Sequence, residues 1–366
     1  MSEPRLSGAI GAAAVGAGLL IASCTWADDP RPDAARLEAA RLEAARLEEA
    51  RHLLADMNAA VASSTYHGEF LHLADGRIEK LGIVHRVKDG HVSERLMSLS
   101  GNGRQVVRND SEVQCYLPDE RRVVVETHAE HGSLLGTLPG DADKLDANYR
   151  LEVVGRVRSV IGRPSKVLAV NPRDRYRFGY RVWIDDATHM PIRTDLCDSQ
   201  GTVLEQVLFT ELRVGGDLPD SMLRPTLPTD GYTWVRQTAG TLHAATTDLP
   251  WRFVKLPPGF QMRSTGVELM PGNSTPVAHI VFSDGLASVS VFIEGPPSAP
   301  RRVGDDQGRE GRVGSAFAYS KFVGAHQVTA VGEVPPGTVQ FIADGVAPAA
   351  PAKVSFGAAP VGPARP

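Results

Sequence analysis

The best candidates for metal binding or catalysis are two histidines in the segment "THAEHG". His128 and His131 stand three positions apart, directly after a predicted strand. That spacing brings two imidazoles to one face only on a helix, and no carboxylate is placed to complete a zinc site. We therefore favour loop residues over a metal-dependent hydrolase, and we expect neither a metal nor another cofactor.

Two cysteines are the next candidates. Cys115 and Cys197 each fall in a predicted strand. A disulfide needs Cα atoms within about 7 Å of each other, and the sequence leaves a disulfide and two free thiols both open. The chain contains no nucleophile elbow, P-loop, dinucleotide fingerprint or HExxH motif. These observations favour a binding protein over an enzyme.

Length and composition set the class of protein. The 366 residues leave room for two domains, and 42% hydrophobic with 22% charged residues is ordinary for a folded chain. A net charge of −4 gives no overall argument for nucleic-acid binding. Three cysteines are too few for a disulfide scaffold.

Residues 1–27 are typical of a secretory signal. Arg5 precedes the apolar run "GAIGAAAVGAGLLIAS", which is too short and too rich in small residues to span a membrane. Two cleavage sites stay open: "IASC" resembles a lipobox that would lipidate Cys24, and "TWA" would release a soluble chain at Asp28. Both predict an exported protein, periplasmic and either soluble or lipid-anchored.

Residues 28–50 contain the repeat "AARLEAARLEAARLE", made of strong helix formers. A five-residue period turns each repeated leucine by about 140°, so the leucines make no continuous apolar face. This pattern predicts an exposed helical spacer. A different pattern begins at Leu53, and it predicts a helix face that docks on a sheet: Leu53, Leu54, Met57, Ala60 and Val61.

Residues 51–214 are typical of long antiparallel hairpins, separated by turns such as Asp75-Gly76 and Asp89-Gly90. The clearest predicted strand runs from Arg175 to Ile184, and "TVLEQVLF" is apolar on both of its faces. One face of the clearest strand carries Tyr176, Phe178, Tyr180, Val182 and Ile184, and the other carries Arg175, Arg177, Arg181 and Trp183. We expect the arginines of the strand faces to be solvated: Arg175, Arg177, Arg181, Arg86, Arg95, Arg104 and Arg108.

Composition changes after this region. Residues 215–248 are rich in Pro, Asp and Thr and predict a linker. Within the preceding region, a short helix is expected at 133–148. Residues 249–346 predict a second β-rich domain with a short helix over 337–344. Residues 347–366 are rich in Pro and Ala and predict a disordered tail. The fold class is therefore mainly β (α+β).

Five collinear stretches resemble the RseB/MucB family, the periplasmic negative regulators of the envelope-stress sigma factor. They are "IVHRVKDGHVSERLMSLSGNGRQVVRNDSEVQCYLPD", "YRVWIDDATHMPIRTDLCDSQGTVLEQ", "LPPGF", "FSDGLASVSVFIE" and "VGEVPPGTVQFIAD". The resemblance implies a large domain with a LolA-like open half-barrel that takes up lipid or lipidated polypeptide. It also implies a smaller β domain that binds the periplasmic segment of a membrane-spanning anti-sigma factor (RseA/MucA-like). Bound there, the protein would shield its partner from a stress protease until lipopolysaccharide or mislocalised lipoprotein displaces it.

The resemblance directs two sets of site expectations. We expect lipid contacts from the clearest strand, at Phe178, Tyr180, Val182, Trp183 and Ile184. We expect anti-sigma contacts from the second domain, at Phe282, Val289, Val291 and Phe292. The alternative function is a LolA/LolB-like carrier of lipoprotein or lipid. The sequence leaves open whether the chain forms a homo-oligomer.

Overall fold

The computed structural model describes residues 31–101, 103–110, 112–127, 145–238, 243–244, 250–268, 276–296 and 308–349. The expected signal segment with Cys24, the histidines His128 and His131, and all but the last four residues of the expected helix at 133–148 lie outside this part. The chain divides into two compact units, 1–44 and 45–366. None of the described helices is long and apolar enough to cross a membrane.

The larger sheet has twelve strands. They are β1 (Tyr66–Ala74), β2 (Arg77–Lys88), β3 (His91–Ser98), β4 (Gln105–Asn109), β5 (Glu112–Leu117), β6 (Arg122–Thr127), β7 (Tyr149–Arg158), β8 (Pro164–Pro172), β9 (Gly179–Asp185), β10 (Pro191–Cys197), β11 (Val203–Val214) and β12 (Thr233–Thr238). Their order is β12-β6-β5-β4-β3-β2-β1-β11-β10-β9-β8-β7, and every neighbouring pair except the parallel β12–β6 is antiparallel.

The smaller sheet has seven strands. They are β13 (His243–Ala244), β15 (Gln261–Glu268), β16 (Val277–Ser283), β17 (Ser288–Glu294), β18 (Arg309–Val313), β19 (Ala316–Val323) and β20 (His326–Gly332), in the order β13-β15-β16-β17-β20-β19-β18. A separate ladder joins β14 (Trp251–Phe253) to β21 (Val346–Pro348). The helices whose two ends both lie in the described ranges are α1 (Arg31–Ser63), α2 (Asp220–Leu223) and α3 (Pro336–Asp344), with a 3₁₀ turn at Pro118–Glu120. The mainly β architecture with two sheets is confirmed. We call residues 45–238 the large domain and residues 243–349 the small domain.

The two faces of the large sheet are covered by different segments. Ile83 packs in a cluster with Val61 of α1, whereas the next residue, Val84, packs against Leu218 and Leu223. Since successive side chains of a strand point to opposite faces, α1 and the α2 segment lie on opposite sides of the sheet. The small domain packs its own core between its sheet and α3.

The helix α1 docks as its spacing predicts, because Leu53, Leu54, Met57 and Val61 are all buried. The docked part starts earlier than Leu53. Ala50 is fully buried and Leu47 packs against the same core cluster. Leu37 and Leu42, in the repeat, are exposed.

This difference makes a stability prediction. Deleting residues 33–44 should leave the melting temperature unchanged, since the leucines of that segment cover nothing. Extending the deletion to residue 50 removes Leu47 and Ala50 from the core and should cost about 1–2 kcal/mol. Thermal unfolding of the two deletion variants checks this, and equal melting temperatures would contradict it.

Three boundaries differ from the sequence prediction. The strand expected over 175–184 begins only at Gly179, because Asp174 Oδ1 accepts hydrogen bonds from the Tyr176 N–H at 2.9 Å and from Arg177 Nε at 3.0 Å and so holds a turn. The expected linker 215–248 contributes α2 and the sheet strand β12. Residues 347 and 348, which the prediction placed in the tail, belong to β21 (Val346–Pro348).

Candidate functional site: a cavity beside the joint of the two domains

A cavity of about 250 Å³ lies between α1 and the large sheet. Met57 and Val61 line it from the helix. Alternate residues of β9 and β11 line it from the sheet because those side chains share one face, and β10 contributes the four consecutive residues 191–194. The small domain closes one side. Its lining residues are Met57, Val61, Tyr180, Val182, Pro191, Ile192, Arg193, Thr194, Glu205, Val207, Phe209, Leu286 and Glu333.

The five residues expected to contact lipid do not all meet at this cavity. Tyr180 and Val182 line it. Ile184 is fully buried in the core, and Phe178 packs its ring against Phe317 of the small domain at 6.2 Å between centroids. Trp183 lies on the other face of β9, where the Arg193 guanidinium stacks over it at 4.2 Å. The cavity is therefore on the Val182 side of the strand.

A polar cluster spans the two domains at the cavity wall. Glu205 on β11 accepts a hydrogen bond from His72 Nε2, 2.8 Å away, and another from the hydroxyl of Ser315 in the β18–β19 turn. The same hydroxyl lies 2.7 Å from a carboxylate oxygen of Glu333. One serine hydroxyl thus lies between two carboxylates, one contributed by each domain.

The second contact between the domains is a buried ion pair. Arg177 Nη1 lies 2.7 Å from Asp284 Oδ2, and both side chains are fully buried. The Tyr149 hydroxyl donates to the same oxygen at 3.0 Å. Burial raises the pKa of Tyr149 above its usual range, and the neighbouring Asp284 raises it further, so the hydroxyl keeps its proton and remains a donor.

Two motifs of the small domain shape this joint. In "FSDGLAS", Asp284 Oδ1 accepts the N–H groups of Leu286 and Ala287 at 2.8 and 2.7 Å, which leaves Oδ2 for the large domain. In "LPPGF", the Pro258 carbonyl accepts Arg177 Nη2 at 2.5 Å. Gly259 has φ +81° and lies so close to the Asn148 side chain that a Cβ would overlap it. Any other residue there would strain the backbone and displace the Asn148 side chain.

The segment before β9 completes the joint. The Tyr176 ring packs against Phe341 of α3 at 5.4 Å, and its carbonyl accepts the Thr338 hydroxyl at 2.9 Å. Arg177 also stacks over the Phe260 ring at 5.3 Å. Phe260, Thr338 and Phe341 belong to stretches that carry the family resemblance, but no local pattern predicts that they meet the segment before β9.

The residues expected to contact the anti-sigma factor lie on two sides of the small sheet. Phe282, Val289 and Val291 are fully buried in the small-domain core. They cannot reach a partner, because a strand buries one face and the prediction chose residues of that face. Phe292 is on the other face, stacked on His279 with centroids 4.4 Å apart.

The expectation of solvated arginines is wrong for three of the seven. Arg95, Arg108 and Arg177 are buried. Arg95 hydrogen-bonds Gln105, the Met222 carbonyl and Thr226, and so holds the α2 segment on the sheet. Arg108 pairs with Glu94 at 3.2 Å. Arg95 and Arg177 find acceptors in segments distant in sequence, whereas Arg108 pairs with the residue opposite it on the neighbouring strand.

The two cysteines are free thiols. Cys115 in β5 and Cys197 in β10 are six strand positions apart in the sheet, far beyond the reach of a disulfide. Burial raises the pKa of both thiols, which keeps them protonated and unreactive. Within the described ranges, no group of three or more His, Cys, Asp or Glu side chains is arranged to hold a metal ion.

The polar cluster makes the joint sensitive to pH. The hydrogen bond to Glu205 raises the pKa of His72 from its ordinary 6.5, with Glu79 and Glu333 adding to the rise and burial opposing it. The same bond lowers the pKa of Glu205. The stabilisation of the folded state by protonated His72 is fully present below pH 6.5 and is lost as the pH rises through the raised pKa of His72. The Glu205 contribution is lost as the pH falls through its lowered pKa.

Stability from this pair should therefore be greatest between those two pKa values. We expect His72→Gln to lower the melting temperature in that window and to change it little at higher pH, where His72 is neutral in both states. Melting curves across the pH range test this. A difference that does not vary with pH would contradict it.

Comparisons with known proteins agree with this two-domain arrangement. The family model of the MucB/RseB N-terminal domain matches residues 49–227, and that of the MucB/RseB C-terminal domain matches residues 245–347. The sigma factor AlgU regulatory protein MucB of Pseudomonas aeruginosa is 33% identical over 299 residues, covering 79% of this chain and 88% of the relative. The sigma-E factor regulatory protein RseB of Escherichia coli K12 is 28% identical, covering 80% and 89%.

Solved structures give the same result. A crystal structure of MucB in complex with MucA(peri) matches with a TM-score of 0.65 and 30% identity, covering 82% of this chain and 99% of that one. A crystal structure of MucB alone matches with a TM-score of 0.52 and 29% identity, covering 82% and 98%. Both domain models match in order and cover most of the chain. The chain belongs to the MucB/RseB family.

Proposed function

We propose that this chain is a regulator of an envelope-stress sigma factor and works in the periplasm. In this role it binds the periplasmic segment of a membrane-spanning anti-sigma factor and protects that segment from proteolysis. The observation that carries the proposal is the match of both family domains together with the likeness to a MucB–MucA(peri) complex. The relatives found are named as regulatory proteins, which favours a binding role over an enzymatic one.

The partner surface we propose is the outer face of the small sheet. Phe292 and His279 stack there, and Ser290 hydrogen-bonds His279 Nε2 at 2.9 Å. Aromatic side chains that are only half-buried are the type enriched in binding sites. The inner face is committed to the core and cannot take part.

The sensing site we propose is the cavity under α1, which takes an acyl chain of lipopolysaccharide or of a mislocalised lipoprotein. Its helix wall is apolar and its sheet wall is largely apolar, with a few polar groups as in sites for small apolar ligands. The sheet contributes Arg193, Thr194 and Glu205, and the small domain contributes Glu333. A carrier of lipid or lipoprotein would use the same cavity. The regulator is favoured because a second domain forms part of the cavity wall.

The test of partner binding uses the full chain without its signal and the periplasmic segment of the anti-sigma factor from the same organism. We expect a saturable complex by isothermal titration calorimetry, and Phe292→Asp should weaken it at least about tenfold. Val160→Asp, at an exposed position of the large domain, is the matched control. A wild-type chain that binds lipid but not the segment would support the carrier.

Membrane attachment is a separate part of the proposal. If Cys24 is the lipidated residue, the chain is held at a membrane surface and does not diffuse freely. Labelling of cells with a palmitate analogue distinguishes the two forms. Incorporation that is lost in Cys24→Ala supports the anchor, and absence of label supports cleavage after Ala27.

A further inference from the structure

We infer that the β16–β17 turn of the small domain, residues 284–287, is the element that transmits occupancy of the cavity to the partner-binding domain. The inference rests on the proposed lipid-sensing function and assigns its regulation to one turn. Leu286 of this turn lines the cavity and packs against the large-domain core. Asp284, two residues away, makes the buried ion pair that joins the domains. One short segment thus contributes both to the wall of the cavity and to the ion pair that joins the domains.

The size of the cavity requires a wall that moves. At about 250 Å³ it is smaller than the roughly 300–1,000 Å³ typical of small-molecule sites, so an acyl chain needs additional space. The sheet walls are tied by the backbone ladders of β9, β10 and β11. The helix wall is anchored by fully buried side chains such as Leu54. The turn contributes a single cavity side chain, Leu286, which is only partly buried against the large-domain core, and this makes the turn the wall that yields.

The turn is built so that moving one residue disturbs the other. Asp284 Oδ1 accepts the backbone N–H groups of Leu286 and Ala287, while Oδ2 binds Arg177 and Tyr149. Displacing Leu286 outward therefore pulls on the carboxylate that holds the two domains together. The glycine between them, Gly285, has φ +105°, a conformation in which the backbone reverses sharply.

The turn also continues directly into the strand that we propose contacts the partner. Residue 288 begins β17, and Phe292 lies on the outer face of that strand. A shift of the turn thus reaches the proposed partner surface along a single rigid strand. The polar cluster of Glu205, Ser315 and Glu333 lies at the same side of the cavity and would separate with it.

The experiment measures hydrogen–deuterium exchange of the full chain with and without the fluorescent fatty acid dansylundecanoic acid. In the free protein the amides of Leu286 and Ala287 are hydrogen-bonded to Asp284 and should be protected. With the probe bound we expect their exchange to speed up at least about tenfold through local opening. The amide of Val291, inside the sheet of the small domain, should not change.

Two variants separate the outcomes. Leu286→Ala truncates the side chain that forms this wall and leaves the turn in place. We therefore expect tighter probe binding, with no rise in the exchange of the amides of residues 286 and 287 when the probe binds. Leu286→Met keeps the volume and should behave as the wild type. Probe binding that leaves the exchange of Leu286 and Ala287 unchanged in the wild type would overturn this inference but leave lipid sensing intact. Absence of saturable probe binding to the wild type would overturn the sensing function itself.

Discussion

Replacing Asp284 with alanine is expected to lower the free energy of unfolding by about 3 kcal/mol, because Arg177 is then left buried without its main counter-charge. Removing one partner of a buried ion pair usually costs roughly 3–5 kcal/mol. We expect the low end of that range here because Asp174 remains 3.0 Å from Arg177. Asp174→Ala is the matched control. That carboxylate is partly exposed, and we expect its loss to cost about 1 kcal/mol. Urea unfolding of the full chain measures both.

A double-mutant cycle identifies the pair as the cause. Arg177→Met removes the charge and keeps an apolar side chain of similar length in the same space. If the two residues act together, Arg177→Met combined with Asp284→Ala should be less destabilising than the sum of the single variants by more than about 0.5 kcal/mol. Additive effects would mean that each residue acts alone and that the joint does not depend on the pair.

Replacing Val182 with aspartate is expected to unfold the large domain, at a cost above about 4 kcal/mol. Its side chain is 1% exposed and packs in the core under α1, where a carboxylate has no partner. Trp183→Asp, one residue further, is the matched control. It removes the stack with Arg193 on the other face and should cost about 1–2 kcal/mol while the domain stays folded.

Circular dichroism and the melting temperature separate these results. A folded Val182→Asp protein with an unchanged melting temperature would show that water reaches this side of β9 freely. In that case the cavity would be an open groove, and the small domain would not close it.

The elements of this fold follow from local patterns more closely than its contacts do. The apolar stretch "TVLEQVLF" predicts β11, and the spacing of Leu53, Leu54, Met57 and Val61 predicts the docked face of α1. The short helix expected over 337–344 is confirmed as α3. In each case the signal lies within a dozen residues, and a strand or helix face is fixed by that local order.

The site was only partly predictable. Alternation shows that a strand has two faces, but it does not show which face another segment will cover. For this reason the sequence places Phe282 and Val289 at a partner surface although they form the core, and it places Arg177 in solvent although this residue is buried in a pair with Asp284. Residues 107 positions apart form that ion pair. The parallel pairing of β12 with β6 is another contact that no local signal contains.

The most direct test of the central claim is the affinity of the full chain for the anti-sigma segment, measured by fluorescence anisotropy while lipopolysaccharide is titrated. We expect the labelled segment to bind in the absence of lipid and to be released as lipid saturates the cavity. Leu286→Ala should bind the segment equally well and resist release. Undiminished binding of the segment to the wild-type chain at saturating lipid, with lipid bound to the same molecules, would contradict the claim that this protein is a sensor.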